Sequence, residues 1–283
     1  MPNLLSSFSW SDAPNTAYRD TLADNQRWST WDSIERLCRG PEPWPDWLVT
    51  AAAAVDTDLG LLKSGKEADV SLLERAVPDD PARSVVMAAK RYRSTDRRLF
   101  HRDTGYTEGR RIRNSRDTRA VARKSSYGRT VEAGLWARAE WNALVTLYTA
   151  GVPVPYPVQI DGTEILMEFI SDGDAAAPRL HQTRPSAPQL ELLFAQLRDA
   201  MQTMARLGLV HGDLSPYNTL VTGIDDEPRL VIIDVPQLVD LASNPYAFDF
   251  LHRDCTNMAT WFTRAGLAVD GDDLLGEVLA HAW

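Results

Sequence analysis

Only two cysteines, Cys38 and Cys255, occur in 283 residues. They show no metal-ligand spacing and need not pair, so a disulfide scaffold and a thiolate zinc site both lose support, and a reducing interior is expected. The five histidines form no H-E-x-x-H, which removes a common zinc-hydrolase signature. Neither G-x-G-x-x-G nor G-x-x-x-x-G-K-[ST] is present, so a Rossmann dinucleotide site and a P-loop NTPase are disfavoured. Long apolar runs are also missing. The longest, Trp47 to Val55, is too short to span a bilayer and contains Thr50, so no membrane association is expected. The N-terminus lacks the charged and apolar regions of a secretory leader, and the expected location is cytoplasmic.

The charge that is present is unevenly spread. The formal net charge is -9, yet residues 91–129 hold thirteen Arg or Lys against four Asp or Glu, a balance of +9, which leaves -18 for the rest. This segment is polar, with Gly105, Gly109 and Gly128, and reads as a long flexible insertion. Clustered arginine suits docking onto RNA, a ribosomal particle or an acidic protein. A solvated loop, or one folded back over the acidic body, is the competing reading. Aromatic residues there are few, limited to Tyr92, Phe100, Tyr106 and Tyr127, so stacking on bases is not specifically signalled.

The richest chemistry lies in Leu-Val-His-Gly-Asp-Leu-Ser-Pro-Tyr-Asn-Thr-Leu-Val, followed by Leu-Val-Ile-Ile-Asp-Val-Pro-Gln. It supplies His211, Asp213, Asn218 and Asp234 in the order and spacing used for phosphoryl transfer from ATP: a base, then two oxygen ligands for magnesium. The apolar runs at 219–221 and 230–234 are separated by Gly223, Asp225, Asp226 and Pro228, which predicts a β-hairpin that brings Asn218 near Asp234. Two such ligands form an incomplete magnesium site that nucleotide phosphates would complete. Taken singly, Asp213 and Asn218 could equally be turn residues and Asp234 a strand-end cap.

Upstream, Ser84 to Tyr92 alternates as a strand, with Val86, Ala88, Lys90 and Tyr92 on one face. A lysine among small apolar side chains calls for an anion, either a phosphate or a carboxylate. Glu132 to Ala150 reads as a helix ended by Gly151 and Pro153, and it places Glu140 in a stripe with Trp136, Leu144 and Leu147. Glu140 is therefore the candidate partner of Lys90, unless it sits at the stripe's edge and snorkels into water.

The wording His-Gly-Asp-Leu-Ser-Pro-Tyr-Asn with Ile-Asp-Val-Pro-Gln closely resembles the RIO atypical kinases and not ordinary eukaryotic protein kinases. The resemblance extends to Lys-Ser-Gly-Lys-Glu-Ala-Asp-Val at 63–70, Ile-Leu-Met-Glu-Phe-Ile at 165–170 and the segment 250–262, so it spans roughly residues 55–265. It implies an α+β, two-lobed protein-kinase-like (RIO) fold with a small antiparallel-sheet N lobe and a mainly helical C lobe. It further implies a serine/threonine protein kinase that uses ATP and Mg2+, with Mn2+ as an alternative metal. Its catalytic residues would be Asp213, Lys90 and Glu140, and its metal ligands Asn218 and Asp234. The resemblance assigns Ser64, Gly65 and Lys66 to the nucleotide loop, Lys90 to the phosphates, Met167 to the gatekeeper position, and Glu168 and Ile170 to backbone contacts with adenine.

The expected organisation is an N-terminal extension at 1–45, an N lobe at 46–170 carrying the basic insertion at 91–129, and a C lobe at 171–283. The tryptophans Trp10, Trp28, Trp31, Trp44 and Trp47 suggest that the extension docks on the body. Asp46 is expected to cap an apolar helix leading to the nucleotide loop. Asp270, Asp272 and Asp273 resemble a metal cluster, but a helix N-terminus favours the same residues. Only a short stretch separates Asp234 from the next helix and no Ala-Pro-Glu occurs, so the usual peptide platform is missing and the protein acceptor is undefined. Autophosphorylation fits, as do an ATPase switch in ribosome or RNP assembly, a small-molecule phosphotransferase and, least well, a non-catalytic binding module.

Overall fold

The computed structural model describes residues 22–78, 80–93, 126–236 and 238–282. Residues 94–125 of the basic insertion, and Trp10 with the rest of residues 1–21, lie outside the described residues. Six strands form one antiparallel sheet in the order β1-β2-β3-β4-β6-β5: β1 Gln26–Trp28, β2 Val55–Ser64, β3 Ala68–Val77, β4 Asp80–Tyr92, β5 Pro157–Asp161 and β6 Glu164–Glu168. The long helix α1, Ser126–Thr149, packs against β4, β5 and β6.

Period-two alternation gives this sheet two buried faces. On the front, Tyr92, Ile160 and Ile165 join α1 residues Ala137, Trp141 and Leu144 in the main core. On the back, Leu73, Met87, Ala89, Val158 and Leu166 meet Trp31, Leu48 and Tyr156. The chain before β2 covers that back face. Trp31 is 2% exposed and stacks edge-on with Trp44, while Trp47 packs edge-on with Tyr156. Backbone bonds fasten the cover, with Gly40 N–H donating to Val158 O at 2.8 Å and Tyr156 Oη donating to Pro41 O at 3.0 Å.

The expected helix behind Asp46 does not form. Residues 46–54 run as turns and irregular chain, because Leu48 goes into the back-face core and Val55 enters β2 opposite Trp28. One apolar run is thereby divided between two jobs that a single helical stripe could not serve.

Beyond β6 a two-residue hairpin follows, β7 Ser171–Asp172 and β8 Ala175–Ala176, turning at Gly173 with φ 61°. Then comes α2, Ala187–Arg206, whose first turn is closed by Ser186 N–H donating to Gln189 Oε1 at 2.8 Å. Strand β9, Leu209–Val210, pairs with β12, Val239–Asp240. Between them lies the hairpin of β10, Thr219–Thr222, and β11, Arg229–Ile232. Helices α3, Ala247–Ala265, and α4, Gly271–Leu279, complete this mainly helical half. Asp270 caps α4, accepting from Asp272 N–H and Asp273 N–H at 2.8 and 3.1 Å, so the three aspartates are a helix start and not a metal cluster.

Candidate active site

Lys90 projects from the front face of β4 and is the meeting point of both halves. Its Nζ lies 2.6 Å from Glu140 Oε1 on α1 and 2.8 Å from Asp234 Oδ1 just beyond β11. Burial disfavours the ammonium, but the two carboxylates outweigh it and hold Lys90 above the usual lysine range. Glu140 is 1% exposed and its second oxygen accepts from Tyr92 Oη, so the acid is fully used and does not snorkel. Tyr92 also presents its ring to Lys90, with Nζ 5.4 Å from the centroid.

Asp234 is held below the ordinary carboxylate range by Lys90. Among the described residues it alone combines a side chain with a positive φ, 64°. Aspartate tolerates this region better than most residues, and strain of this kind concentrates at functional sites. The β10–β11 register pairs Thr219 with Ile232, and Ile233 N–H donates to Asn218 O at 3.0 Å, so Asn218 and Asp234 flank one strand end as the hairpin reading required. Asn218 Nδ2 donates to Asp213 O at 2.9 Å and reaches Asp213 Oδ2 at 3.3 Å, leaving Asn218 Oδ1 for a cation. Two hard oxygen donors fit magnesium, whose remaining positions phosphates and water would fill. Among the described residues no group of three or more His, Cys, Asp and Glu is arranged to hold a metal ion by itself.

The loop carrying Asp213 is held from below. Gly212 adopts φ 83°, which suits glycine. Its N–H donates to Asp254 Oδ2 at 2.8 Å, Leu214 N–H donates to Asp254 Oδ1 at 2.9 Å, and Arg253 of α3 donates to Gly212 O. His211 is buried, which pushes its pKa down, and as a neutral ring it suits both neighbours: Nε2 donates to Ile233 O at 3.3 Å while Nδ1 accepts from Asp213 N–H at 3.2 Å. The imidazole therefore ties the catalytic loop to the strand leading into Asp234. The motif spacing singles out His211 but carries no sign of this bracing task.

Burial raises Asp254 from its ordinary 3.8 to about 7, against the two amide bonds. From about pH 4 to 7 the folded chain thus retains a proton that the unfolded chain has released, so Asp254 favours folding below that window and the contribution is lost as pH rises through it. Asp254→Asn should remove a slope of about 1.4 kcal/mol per pH unit in that range. Urea unfolding midpoints measured from pH 4 to 8 test this, and parallel wild-type and variant profiles would refute it.

The nucleotide-loop residues are placed less uniformly. Ser64 Oγ accepts from Arg93 at 2.7 Å, on the side of β2 shared with Asp69, so its side chain is engaged on the face away from Lys90. Gly65 N–H donates to Ala68 O at 2.9 Å and a Cβ at Gly65 would meet that oxygen at 2.9 Å, which gives the tight turn a reason for glycine. Lys66 is exposed at the turn. Met167 pairs with Ala88 beside the cleft. The Glu168 carboxylate accepts from Tyr156 N–H at 3.0 Å, so any contact from this residue to a base comes from its main chain. Ile170 O accepts from Ala177 N–H at 3.0 Å.

A curled antiparallel sheet with one buried helix, set on a mainly helical half and carrying Lys90, Glu140, Asp213, Asn218 and Asp234 about one cleft, defines a two-lobed protein-kinase-like fold. A family model described as RIO domain matches residues 84–274, and the chain belongs to the RIO family. It is 34% identical over 220 residues to the RIO-type serine/threonine-protein kinase Rio1 of Haloferax volcanii, covering 78% of this chain and 68% of that protein. It is 36% identical over 135 residues to human serine/threonine-protein kinase RIO1, covering 47% of this chain but only 23% of that much longer protein. The crystal structure of the Rio2 kinase-ADP/Mg2+-phosphoaspartate complex from Chaetomium thermophilum superposes with a TM-score of 0.52 at 21% identity, covering 79% of this chain and 69% of that one. No described helix is long and apolar enough to cross a membrane.

Proposed function

We propose that this chain is an ATP- and Mg2+-dependent RIO-type serine/threonine protein kinase. The observation that carries the reading is the Lys90 ammonium held between Glu140 of one lobe and Asp234 of the other, at 2.6 and 2.8 Å. In this reading Lys90, fixed by Glu140, contacts nucleotide phosphates, and Asn218 and Asp234 hold magnesium, which neutralises charge on the transferring group. Asp213 orients the acceptor hydroxyl and accepts its proton. Adenine lies under Gly65 and the turn at Lys66, with Met167 at the back and the main chains of Glu168 and Ile170 at its edge. Catalysis of this kind is positioning and charge stabilisation. Residues 46–170 and 171–283 serve as the two lobes, and the basic segment 91–129 as a docking surface for RNA or a ribosomal particle.

A second reading is motivated by the short path beyond Asp234. Strand β12 begins at Val239 and α3 at Ala247, a connection much shorter than the activation segment that helps bind peptide in ordinary protein kinases. The Rio2 neighbour was solved with phosphoaspartate, which fits transfer to Asp234 followed by hydrolysis, an ATPase switch. Incubation with γ-labelled ATP and Mg2+, tracking label on protein, water and metabolites, separates these outcomes. Acid-stable label on protein hydroxyls is expected for the kinase, and an alkali-labile acyl phosphate with multiple-turnover phosphate release for the switch. Labelled metabolite alone would overturn both.

A further inference from the structure

The resemblance assigns Ser64 and Lys66 to the nucleotide loop, and the sheet register puts their neighbour Lys63 on the catalytic side. Lys63 pairs with Val70, Val70 with Lys90, and Lys90 with Ile165, so the four occupy one row across β2, β3, β4 and β6. Directly paired residues project to the same face, and Lys90 and Ile165 define that face as the one turned to α1 and the cleft. Ser64 pairs with Asp69 and shares Arg93 with it, which confirms that the side chain one residue along projects the other way. Two lysines on alternate strands therefore overhang one site.

Their electrical situations differ. Lys90 is neutralised by Glu140 and Asp234, whereas among the described residues Lys63 makes no ion pair. Arg179 stands on the opposite side of the cleft, bridged through its backbone to Leu220 of β10, the strand that follows Asn218. It too has no acidic partner among the described residues. Lys63 is exposed, and the charges of Arg179, Asp234 and Lys90 all act on it; partial desolvation and the positive charge of Arg179 hold its pKa below the usual lysine range. An unneutralised cation on β2, within reach of the Asp234 charge, and a second on the lobe that carries Asn218 favour a multiply charged anion between them.

We propose that Lys63 is a phosphate-binding residue of the nucleotide site, opposed across the cleft by Arg179. The proposal rests on the ATP reading of the same cleft. Lys63 supplies to the polyphosphate the free positive charge that Lys90, bound to two carboxylates, cannot supply alone.

The test is equilibrium binding of Mg·ATP and of adenosine to the full chain and to Lys63→Met and Lys63→Arg. Lys63→Met should weaken ATP by roughly tenfold to a hundredfold, the worth of one charged hydrogen bond, and leave adenosine unchanged. Lys63→Arg should restore most of the loss, and Arg179→Met should show the same selectivity for ATP over adenosine. If the wild type binds ATP and Lys63→Met binds it equally well, the role of Lys63 is overturned while the ATP site stands. Equal losses for ATP and adenosine, with a lowered unfolding midpoint, would also overturn it as a general structural effect. A wild-type chain that binds neither probe overturns the ATP reading and this inference together.

Discussion

Asp213→Asn is expected to lower phosphoryl-transfer turnover by roughly two to four orders of magnitude, the range for a lost general base, with affinity for Mg·ATP nearly unchanged. The asymmetry follows from how the loop is built. Its course is set by Asp254 beneath Gly212 and Leu214, by His211 against Ile233, and by Asn257 Nδ2 reaching Leu214 O at 3.4 Å, none of which needs the Asp213 carboxylate. An amide of the same shape keeps a partner for Asn218, whose main contact is the Asp213 carbonyl. What disappears is the group that can take a proton. Steady-state turnover with separately measured nucleotide binding decides the matter. Undiminished turnover would remove Asp213 from the chemistry, and a parallel collapse of ATP affinity would make its role structural.

The parts of this site that were legible from sequence are those whose chemistry is written in local order. Asp213 and Asn218 sit five apart on one loop, and the turn residues between 222 and 229 foretold the hairpin that brings Asp234 alongside. Lys90 and Glu140 were inferred as outliers, each a charge on an apolar face, and their 2.6 Å contact is the pairing such burial requires. The nucleotide loop was harder because its meaning depends on register. Lys63, Ser64 and Lys66 look interchangeable in sequence, but a shift of one position along a strand exchanges faces, and only the pairings with Val70 and Asp69 show which side chain overhangs the cleft.

Long-range partners were harder still. The tryptophans signal docking, but the sequence near Trp31 does not reveal that the surface it covers is the back of a sheet whose strands lie up to 135 residues away, at Leu166. The run 47–55 looked like one helix because sequence separates poorly a continuous stripe from apolar residues divided between a core and a strand. Its composition was that of a buried segment, and burial is what Leu48, Val49, Ala54 and Val55 share.

The same back face carries the largest expected effect on stability. Arg75 is 0% exposed and forks onto Asp56, itself 1% exposed, with Nε to Oδ1 at 2.6 Å and Nη2 to Oδ2 at 3.0 Å. Nη2 also donates to Gln159 Oε1 at 3.0 Å, and Gln159 Nε2 donates to Thr30 Oγ1 at 2.8 Å, so the network joins β2, β3 and β5 to the covering chain. Arg75→Met fills similar space but leaves a buried carboxylate whose one remaining cationic neighbour among the described residues is Arg27, 3.8 Å away and 43% exposed. A cost of about 3–5 kcal/mol is expected for such an orphaned charge. That is a large share of the roughly 5–15 kcal/mol that holds a typical domain together. Replacing both partners, Arg75→Met with Asp56→Leu, removes the stranded charge and should recover most of the loss. Urea unfolding with an unchanged m value measures both variants. Because the Arg75 row faces away from Lys90, turnover per folded molecule should stay at the wild-type value in each. A single variant that loses under about 1 kcal/mol, no more than a surface pair is worth, would show that solvent reaches Asp56 and that the network contributes little to stability.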